Sequence, residues 1–322
     1  MAEPLRVLLH NAETAALAER LHDSHPGIAC FECQSYAALP AMLARHRPDV
    51  VFAVRFAGSK GYPRDALLGP EGPAWIANGG VGVDHLGQWD PARVTVTNAA
   101  GVASEMMAEY VLGAFLHFTL DVPGLQQDQR HKVWAARQMR RLQGETLLIA
   151  GLGHTGRAIA ARAKAFGMHV IGTRARPQAM AHVDEVHPAD DLVRLMPRAG
   201  FLAVSTPLTP RTRGLIGRAA FEAAMPGLVL ADVSRGGVID PPALLAALDA
   251  GRVAGAALDV FETEPLPADS PFWVHPRVLV SPHCSAVWEG WEEASFDLFL
   301  ANLARWRAGA PLWNVVDPTR GY

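Results

Sequence analysis

An apolar run, "TLLIA" (146–150), passes directly into "GLGHTG" and then into "GRAIAARAKAFG". Gly151, Gly153 and Gly156 thus stand in G-x-G-x-x-G spacing between a predicted strand and a predicted helix, and few folds accept that arrangement. The first glycine permits a tight turn. The second lets a pyrophosphate approach the backbone, and the third lets the helix pack close to the strand. Phosphates then meet free amides at the positive end of a helix dipole. The stretch therefore predicts a parallel α/β sheet that binds a dinucleotide at its carboxyl edge.

The next strand ends in "VIGTRARP" (170–177). In such a fold an acidic side chain at this place accepts hydrogen bonds from the adenosine ribose. Here Thr173 is followed by Arg174 and Arg176, and arginine only donates. A fixed cation suits a 2′-phosphate, so these three residues predict NADP(H) in preference to NAD(H).

Short, nearly continuous apolar strands alternate with helices along the chain, the pattern of parallel sheets covered on both faces. Strands are predicted at "RVLLH" (6–10), "DVVFAVRF" (49–56), "AWIANGG" (74–80), "VTVTNA" (94–99), "TLLIAGL", "HVIGT", "GFLAVST" (200–206), "GLVLADVS" (227–234), "VAGAALDVF" and "RVLVSPH". Helices are predicted at "TAALAERLHD", at 104–120, at "GRAIAARAKAFG", around "ADDLVRLMP", near "GRAAFEAAM", at "PPALLAALDAG" and at 285–307. Asp240 reads as an N-cap with Pro241 in the first helical position.

The chain has 322 residues, enough for about two domains of roughly 150 residues. Its net charge is −3, which offers no basic surface for nucleic acid or anionic membrane. The most apolar helical stretch, "MMAEYVLGAFLHFTL", carries Glu109 and His117 and is too short to span a bilayer. The first residues do not resemble a signal peptide, so a cytoplasmic location is expected. Three cysteines make no disulfide framework, and Cys30 and Cys33, with no second pair or histidine cluster, read as packing rather than a metal or redox site.

Three further stretches, "DVSRGGVID" (232–240), "ALDVFETEPLP" (257–267) and "SPHCSAVWEG" (281–290), fall at or just beyond the carboxyl ends of strands. They offer Arg235, Glu264 and His283. An arginine holds a carboxylate and a carbonyl oxygen in a planar fork. A histidine exchanges protons near neutral pH, and a glutamate on its other ring nitrogen orients it. Beside a nicotinamide, the three together read as a reaction centre rather than as separate surface or packing residues.

In order along the chain, "GVGVDHL", "GLGHTGRAIA", "STPLTPRTRGLI", "DVSRGGVID", "ALDVFETEPLP" and "SPH" resemble the D-isomer-specific 2-hydroxyacid dehydrogenases, with 29 residues from Arg235 to Glu264 and 19 from Glu264 to His283. "TRARP", "DSPFWVHPRV" and "DPTRGY" are most similar to the bacterial NADPH-dependent glyoxylate/hydroxypyruvate reductases of the A type. The resemblance implies two Rossmann-like, doubly wound domains. One is a flavodoxin-like substrate domain of residues 1–101 plus 284–322; the other is a dinucleotide-binding domain of 102–283, with the active site in the cleft between.

It also implies roles. His283 is the acid/base, Glu264 its partner, and Arg235 the binder of substrate carboxylate and carbonyl. The amides near Val81 and Gly82 hold the carboxylate. His154 and Thr155 lie over the pyrophosphate, Thr206, Pro207, Val233 and Ser234 line the cofactor groove, and Asp259 bonds the nicotinamide carboxamide. Arg174 departs from the acidic residue of most members, which bears on NAD preference. A homodimer through the cofactor domain is implied, with 104–140 in the contact and Trp134 a candidate to extend toward the partner's site. Arg55, Trp75, Trp134, Trp288 and Trp291 are candidates to shape the pocket. Alternatives are an NAD-dependent member with another substrate, of the phosphoglycerate or D-lactate type, and a non-enzymatic dinucleotide-sensing protein of the same family.

Overall fold

The computed structural model describes residues 3–54 and 61–321. Arg55 lies outside them. The chain divides into two compact units, Met1–Val102 with Glu289–Tyr322, and Ala103–Trp288. Both are doubly wound parallel sheets, as the alternating pattern predicts.

In the first unit, β1 (Arg6–His10), β2 (Ala29–Cys33), β3 (Val50–Ala53), β4 (Trp75–Asn78) and β5 (Thr95–Thr97) form an all-parallel sheet ordered β2-β1-β3-β4-β5. That is the flavodoxin-like order. Alternate residues serve alternate faces. Val7, Leu9 and Phe52 pack with Leu17 and Leu21 of the helix Ala15–Ser24 and with Phe296, Phe299 and Leu303 of the helix Trp291–Arg307. Leu8, Val51 and Ile76 pack with Leu39 and Leu43 of the helix Leu39–His46. Cys30 joins the first cluster and Cys33 the second, because side chains three apart on a strand point to opposite faces.

The second unit carries β6 (Thr146–Ala150), β7 (His169–Arg174), β8 (Glu185–Pro188), β9 (Phe201–Val204), β10 (Leu228–Asp232), β11 (Val253–Leu258) and β12 (Val278–Val280). They are parallel and ordered β12-β11-β10-β9-β6-β7-β8. The order reverses between β6 and β9, the switch point where ligands bind in open α/β sheets. The helices Ser104–Thr119 and His154–Ala165 share one face of this sheet, with Val111, Phe115, Ile159 and Ala163 in its core. Asp240 caps the helix Pro241–Asp249 by accepting the Ala243 amide at 2.9 Å.

Several boundaries differ from the sequence reading. The last helix begins at Trp291 rather than 285, because residues 281–290 form a loop ending at Gly290 with φ +93. "ADDLVRLMP" is a short helix, Leu192–Leu195, between two 3₁₀ turns. β2, β8 and the helices Leu39–His46, Arg64–Leu68 and Val122–His131 have no counterpart in the predicted elements. Among the described residues no helix is long and apolar enough to cross a membrane.

Candidate active site

The glycine loop takes the form its spacing demands. Gly151 has φ +103, and a Cβ there would come within 2.9 Å of the Thr206 backbone. At Gly156 a Cβ would lie 2.0 Å from the Gly151 carbonyl oxygen, so only glycine lets the helix His154–Ala165 start this close to β6. Gly153 differs: a Cβ there would meet nothing within 4 Å. Two glycines are therefore required by the chain's own backbone, and the third leaves open space in front of the helix start. No side chain caps that start. Free first-turn amides beside an open glycine fit a pyrophosphate.

Around this cradle His154 is exposed, and its Nδ1 lies 3.3 Å from Arg157 Nη2. Burial first, then the Arg157 charge, holds His154 below its ordinary pKa. Thr155 turns its hydroxyl to the Met107 sulfur at 3.7 Å. Ser205 Oγ donates to the Gly151 carbonyl at 2.9 Å, and the Pro207 carbonyl accepts Thr212 Oγ1 at 2.6 Å, which fixes the 205–212 loop beside Gly151. At the end of β7, Thr173 is buried and its carbonyl accepts the Gly151 and Leu152 amides. Arg174 is half-buried and meets the Met180 sulfur at 3.3 Å, while Arg176 is exposed. Among the described residues neither arginine is paired with a carboxylate.

The loops after β10, β11 and β12 carry the proposed chemistry. Val233 and Ser234 are buried; Ser234 donates its amide (2.9 Å) and its hydroxyl (2.5 Å) to Asp232. Burial pushes Asp232 up to about 7, against the pull of those hydrogen bonds. Next to this fixed turn, Arg235 donates Nη1 to the Ser234 carbonyl at 2.7 Å. Glu264 Oε1 accepts the Phe261 amide at 3.0 Å, and Oε2 lies 2.8 Å from His283 Nδ1. Burial raises the Glu264 pKa, but the hydrogen bonds from His283 and Phe261, with the charges of His283 and Arg235, outweigh it and bring it below the ordinary value. An ionised Glu264 only accepts, so Nδ1 carries the hydrogen. Among the described residues Nε2 meets no hydrogen-bond partner.

Asp259 is 1% exposed and accepts from Ser281 Oγ (2.6 Å), the Cys284 amide (2.9 Å) and the Ser285 amide (3.1 Å). It is thus committed first to the loop that carries His283. Tyr110 joins this group, its hydroxyl 2.7 Å from Ser281 Oγ. Nothing in the sequence marks Tyr110, which sits inside a mostly apolar helix.

Val81 and Gly82 belong to the first unit. Asn78 Nδ2 donates to the Gly80 (2.8 Å) and Gly82 (3.1 Å) carbonyls, and Asn98 Nδ2 donates to the Val81 carbonyl (2.8 Å). With the carbonyls tied down, the amides of Val81 and Gly82 meet no acceptor among the described residues. Adjacent unpaired amides form an anion-binding concavity. The two asparagines that set it up stand outside the "GVGVDHL" motif.

The tryptophans divide. Trp75 is fully buried and donates to Thr97 Oγ1 at 3.0 Å, so it is a core residue. Trp291 packs partly buried on the first unit's core. Trp134 is fully exposed and Trp288 half-buried. Among the described residues no group of three or more His, Cys, Asp or Glu side chains is arranged to hold a metal.

The chain is similar to known proteins. The model of the "D-isomer specific 2-hydroxyacid dehydrogenase, NAD binding domain" family matches residues 112–285. A D-3-phosphoglycerate dehydrogenase of Methanocaldococcus jannaschii is 33% identical over 259 residues, 79% of this chain and 49% of that protein, so the chain spans about half its length. The glyoxylate/hydroxypyruvate reductase A of Yersinia enterocolitica is 32% identical over 219 residues, 68% of this chain and 69% of that one. A crystal structure of a D-isomer specific 2-hydroxyacid dehydrogenase from Xanthobacter autotrophicus Py2, in complex with NADPH and MES, superposes with a TM-score of 0.84 at 30% identity, covering 99% of this chain and 100% of that one. With its glycine cradle, its Arg–Glu–His set and both of its sheets, the chain belongs to the D-isomer specific 2-hydroxyacid dehydrogenase family.

Proposed function

We propose that the protein reduces a small 2-oxo acid, glyoxylate or hydroxypyruvate, to the D-2-hydroxy acid (glycolate from glyoxylate) with NADPH as the preferred cofactor. One observation carries the reading: His283 Nδ1 is held by Glu264 at 2.8 Å, while Nε2 meets no hydrogen-bond partner among the described residues. That leaves Nε2 to give a proton to the alkoxide forming at C2. Glu264, kept ionised, fixes the ring and steadies the charge that passes through it. Arg235, whose Nη1 donates to the Ser234 carbonyl, would hold the substrate carboxylate and carbonyl oxygen, where negative charge develops. The Val81 and Gly82 amides of the first unit are themselves candidates to hold an anion such as a carboxylate. When bound, the reduced nicotinamide supplies the hydride.

For the cofactor, Gly151, Gly153 and Gly156 with His154 and Thr155 would hold the pyrophosphate, and Thr206, Pro207, Val233 and Ser234 would line the groove. Thr173, Arg174 and Arg176 would receive the 2′-phosphate, since none of them repels it and the two arginines have no carboxylate to answer first. Asp259 would reach the carboxamide through whatever accepting capacity its three donors leave. The Xanthobacter structure with NADPH and the name of the Yersinia relative favour the same cofactor and substrates. The likeness to a phosphoglycerate dehydrogenase favours a larger 2-hydroxy acid as the second reading.

Steady-state assay of His283→Ala and Arg235→Ala with glyoxylate tests the roles. Each should lose about a hundredfold or more in kcat/KM, the scale of one acid/base or oxyanion donor. Near wild-type turnover in either would remove that residue from the reading.

A further inference from the structure

His283 has φ +53, a left-handed conformation that a side chain of its size rarely adopts. Such a residue persists where its surroundings over-determine it. Asp259 does this from both sides. It holds Ser281 Oγ, two residues before His283, and the Cys284 and Ser285 amides, one and two residues after. The two amides can only donate, so Asp259 is the acceptor throughout. The Ser281 hydroxyl has one proton, which it gives to Asp259. Its lone pairs then face the Tyr110 hydroxyl at 2.7 Å, so Tyr110 is the donor to Ser281. Burial pushes the Tyr110 phenol up to about 12, which keeps that donor protonated across the working range.

We propose that Tyr110 is a positioning residue for His283, acting through Ser281 and Asp259; this rests on the reading of His283 as proton donor. Tyr110 stands on the helix Ser104–Thr119 and touches no reacting atom. Its hydrogen bond fixes the Ser281 rotor so that the serine proton is always turned to Asp259. Without it the hydroxyl rotates among alternative acceptors, and Asp259 loses one of its three donors for part of the time. The backbone on either side of His283 then relaxes, and the ring spends less time on Glu264. The polar chain Tyr110–Ser281–Asp259 thus links a helix of the core to the orientation of one imidazole.

Tyr110→Phe keeps the ring and its packing and removes only the donor. In the full-length protein, kcat for glyoxylate with NADPH should fall a few-fold to about tenfold, the effect of one neutral hydrogen bond, with KM for glyoxylate and Kd for NADPH within about twofold. Amide hydrogen exchange of the segment 281–287 should speed up in the same variant without any ligand. Ser281→Ala should reproduce both effects and Ser281→Thr, which keeps the hydroxyl, should restore them. In a His283→Ala background, Tyr110→Phe should cost nothing further, because the two act as one unit. With His283→Ala reduced about a hundredfold or more, wild-type turnover and exchange in Tyr110→Phe, or a loss that adds fully to the residual turnover of His283→Ala, overturns this inference alone. Unchanged turnover in His283→Ala overturns the proton-donor reading and this inference with it.

Discussion

Arg174 replaces an acceptor with a donor at the end of β7, and that single exchange decides the cofactor reading. Losing a charge-assisted phosphate contact costs about 1.5–3 kcal/mol. Arg174→Asp should therefore lower the NADPH:NADH ratio of kcat/KM about ten- to a hundredfold, measured with one substrate and both cofactors; an unchanged ratio would remove Arg174 from the account. Glu264 makes a prediction about acid. Its pKa is depressed in the folded chain, so its contribution is present above the unfolded value and is lost only as pH falls through the lower, folded one. Turnover should therefore keep the Glu264–His283 pair down to the ordinary carboxylate range, and Glu264→Gln should lose activity at every pH rather than only at low pH. His10, fully buried in the first unit, has the opposite charge type. Burial, offset in part by a hydrogen bond with the Ser35 backbone, pushes it down to about 4. The unfolded chain takes up that proton first, so stability falls as pH drops from the ordinary histidine value toward 4, by up to about 3 kcal/mol. His10→Gln should flatten the pH dependence of the denaturation midpoint in that window. Asp232, raised by burial, pulls the other way in both proteins and cancels from the comparison; equal slopes would contradict the assignment. As candidates, Arg174, Arg235, Glu264 and His283 were legible because each stands in a recognisable spacing. Tyr110, Asn78 and Asn98 were not, since their importance lies in partners far away in sequence or hidden inside an ordinary strand or helix.

Gly153 and Gly156 separate binding from folding within one loop. A Cβ at Gly156 strikes backbone, so Gly156→Ala should destabilise the second unit by about 1–3 kcal/mol, as overpacking does. A Cβ at Gly153 strikes nothing, so Gly153→Ala should leave the denaturation midpoint in place and weaken NADPH binding, read by titration of intrinsic fluorescence. The reverse pattern would mean that the cradle has another purpose. The buried strands were readable because runs such as "LVLAD" and "FLAV" are apolar on both faces. β2 and β8 are edge strands, only partly buried, and "ACFEC" and "EVHP" carry no such signal. The helix Val122–His131 buries none of its residues, so no apolar face announced it. It is tied down instead by Arg137, which bridges Asp121 and Asp128. The start of the last helix was misread because the apolar residues of 285–290 belong to the loop that Asp259 holds.

Across the molecule, the parallel, doubly covered character of both sheets follows from alternating apolar strands and helices together with the preference for right-handed crossovers. The strand order within each sheet is less legible, because a parallel pattern looks the same whichever neighbour a strand chooses. The run 132–141 points to a larger assembly. Arg137 and Arg140 pin it to its own unit, Arg140 through Glu145 at 2.8 Å and the Phe201 ring at 4.5 Å, while Val133, Trp134 and Met139 face outward. Exposed apolar side chains grouped on one pinned segment are what an interface between copies would cover. We expect a homodimer through this unit. Light scattering should give about twice the 34.6 kDa chain mass. Trp134→Ser should shift the equilibrium toward monomer, and a monomeric wild type would refute the expectation. The proposed chemistry is tested by kcat/KM for glyoxylate, hydroxypyruvate, pyruvate and phenylpyruvate, each with NADPH and with NADH. The account predicts that NADPH is oxidised fastest with glyoxylate or hydroxypyruvate, and that NADH is at least about tenfold poorer. Equal or better use of NADH, or no oxidation of NADPH by any of the four acids, would contradict it.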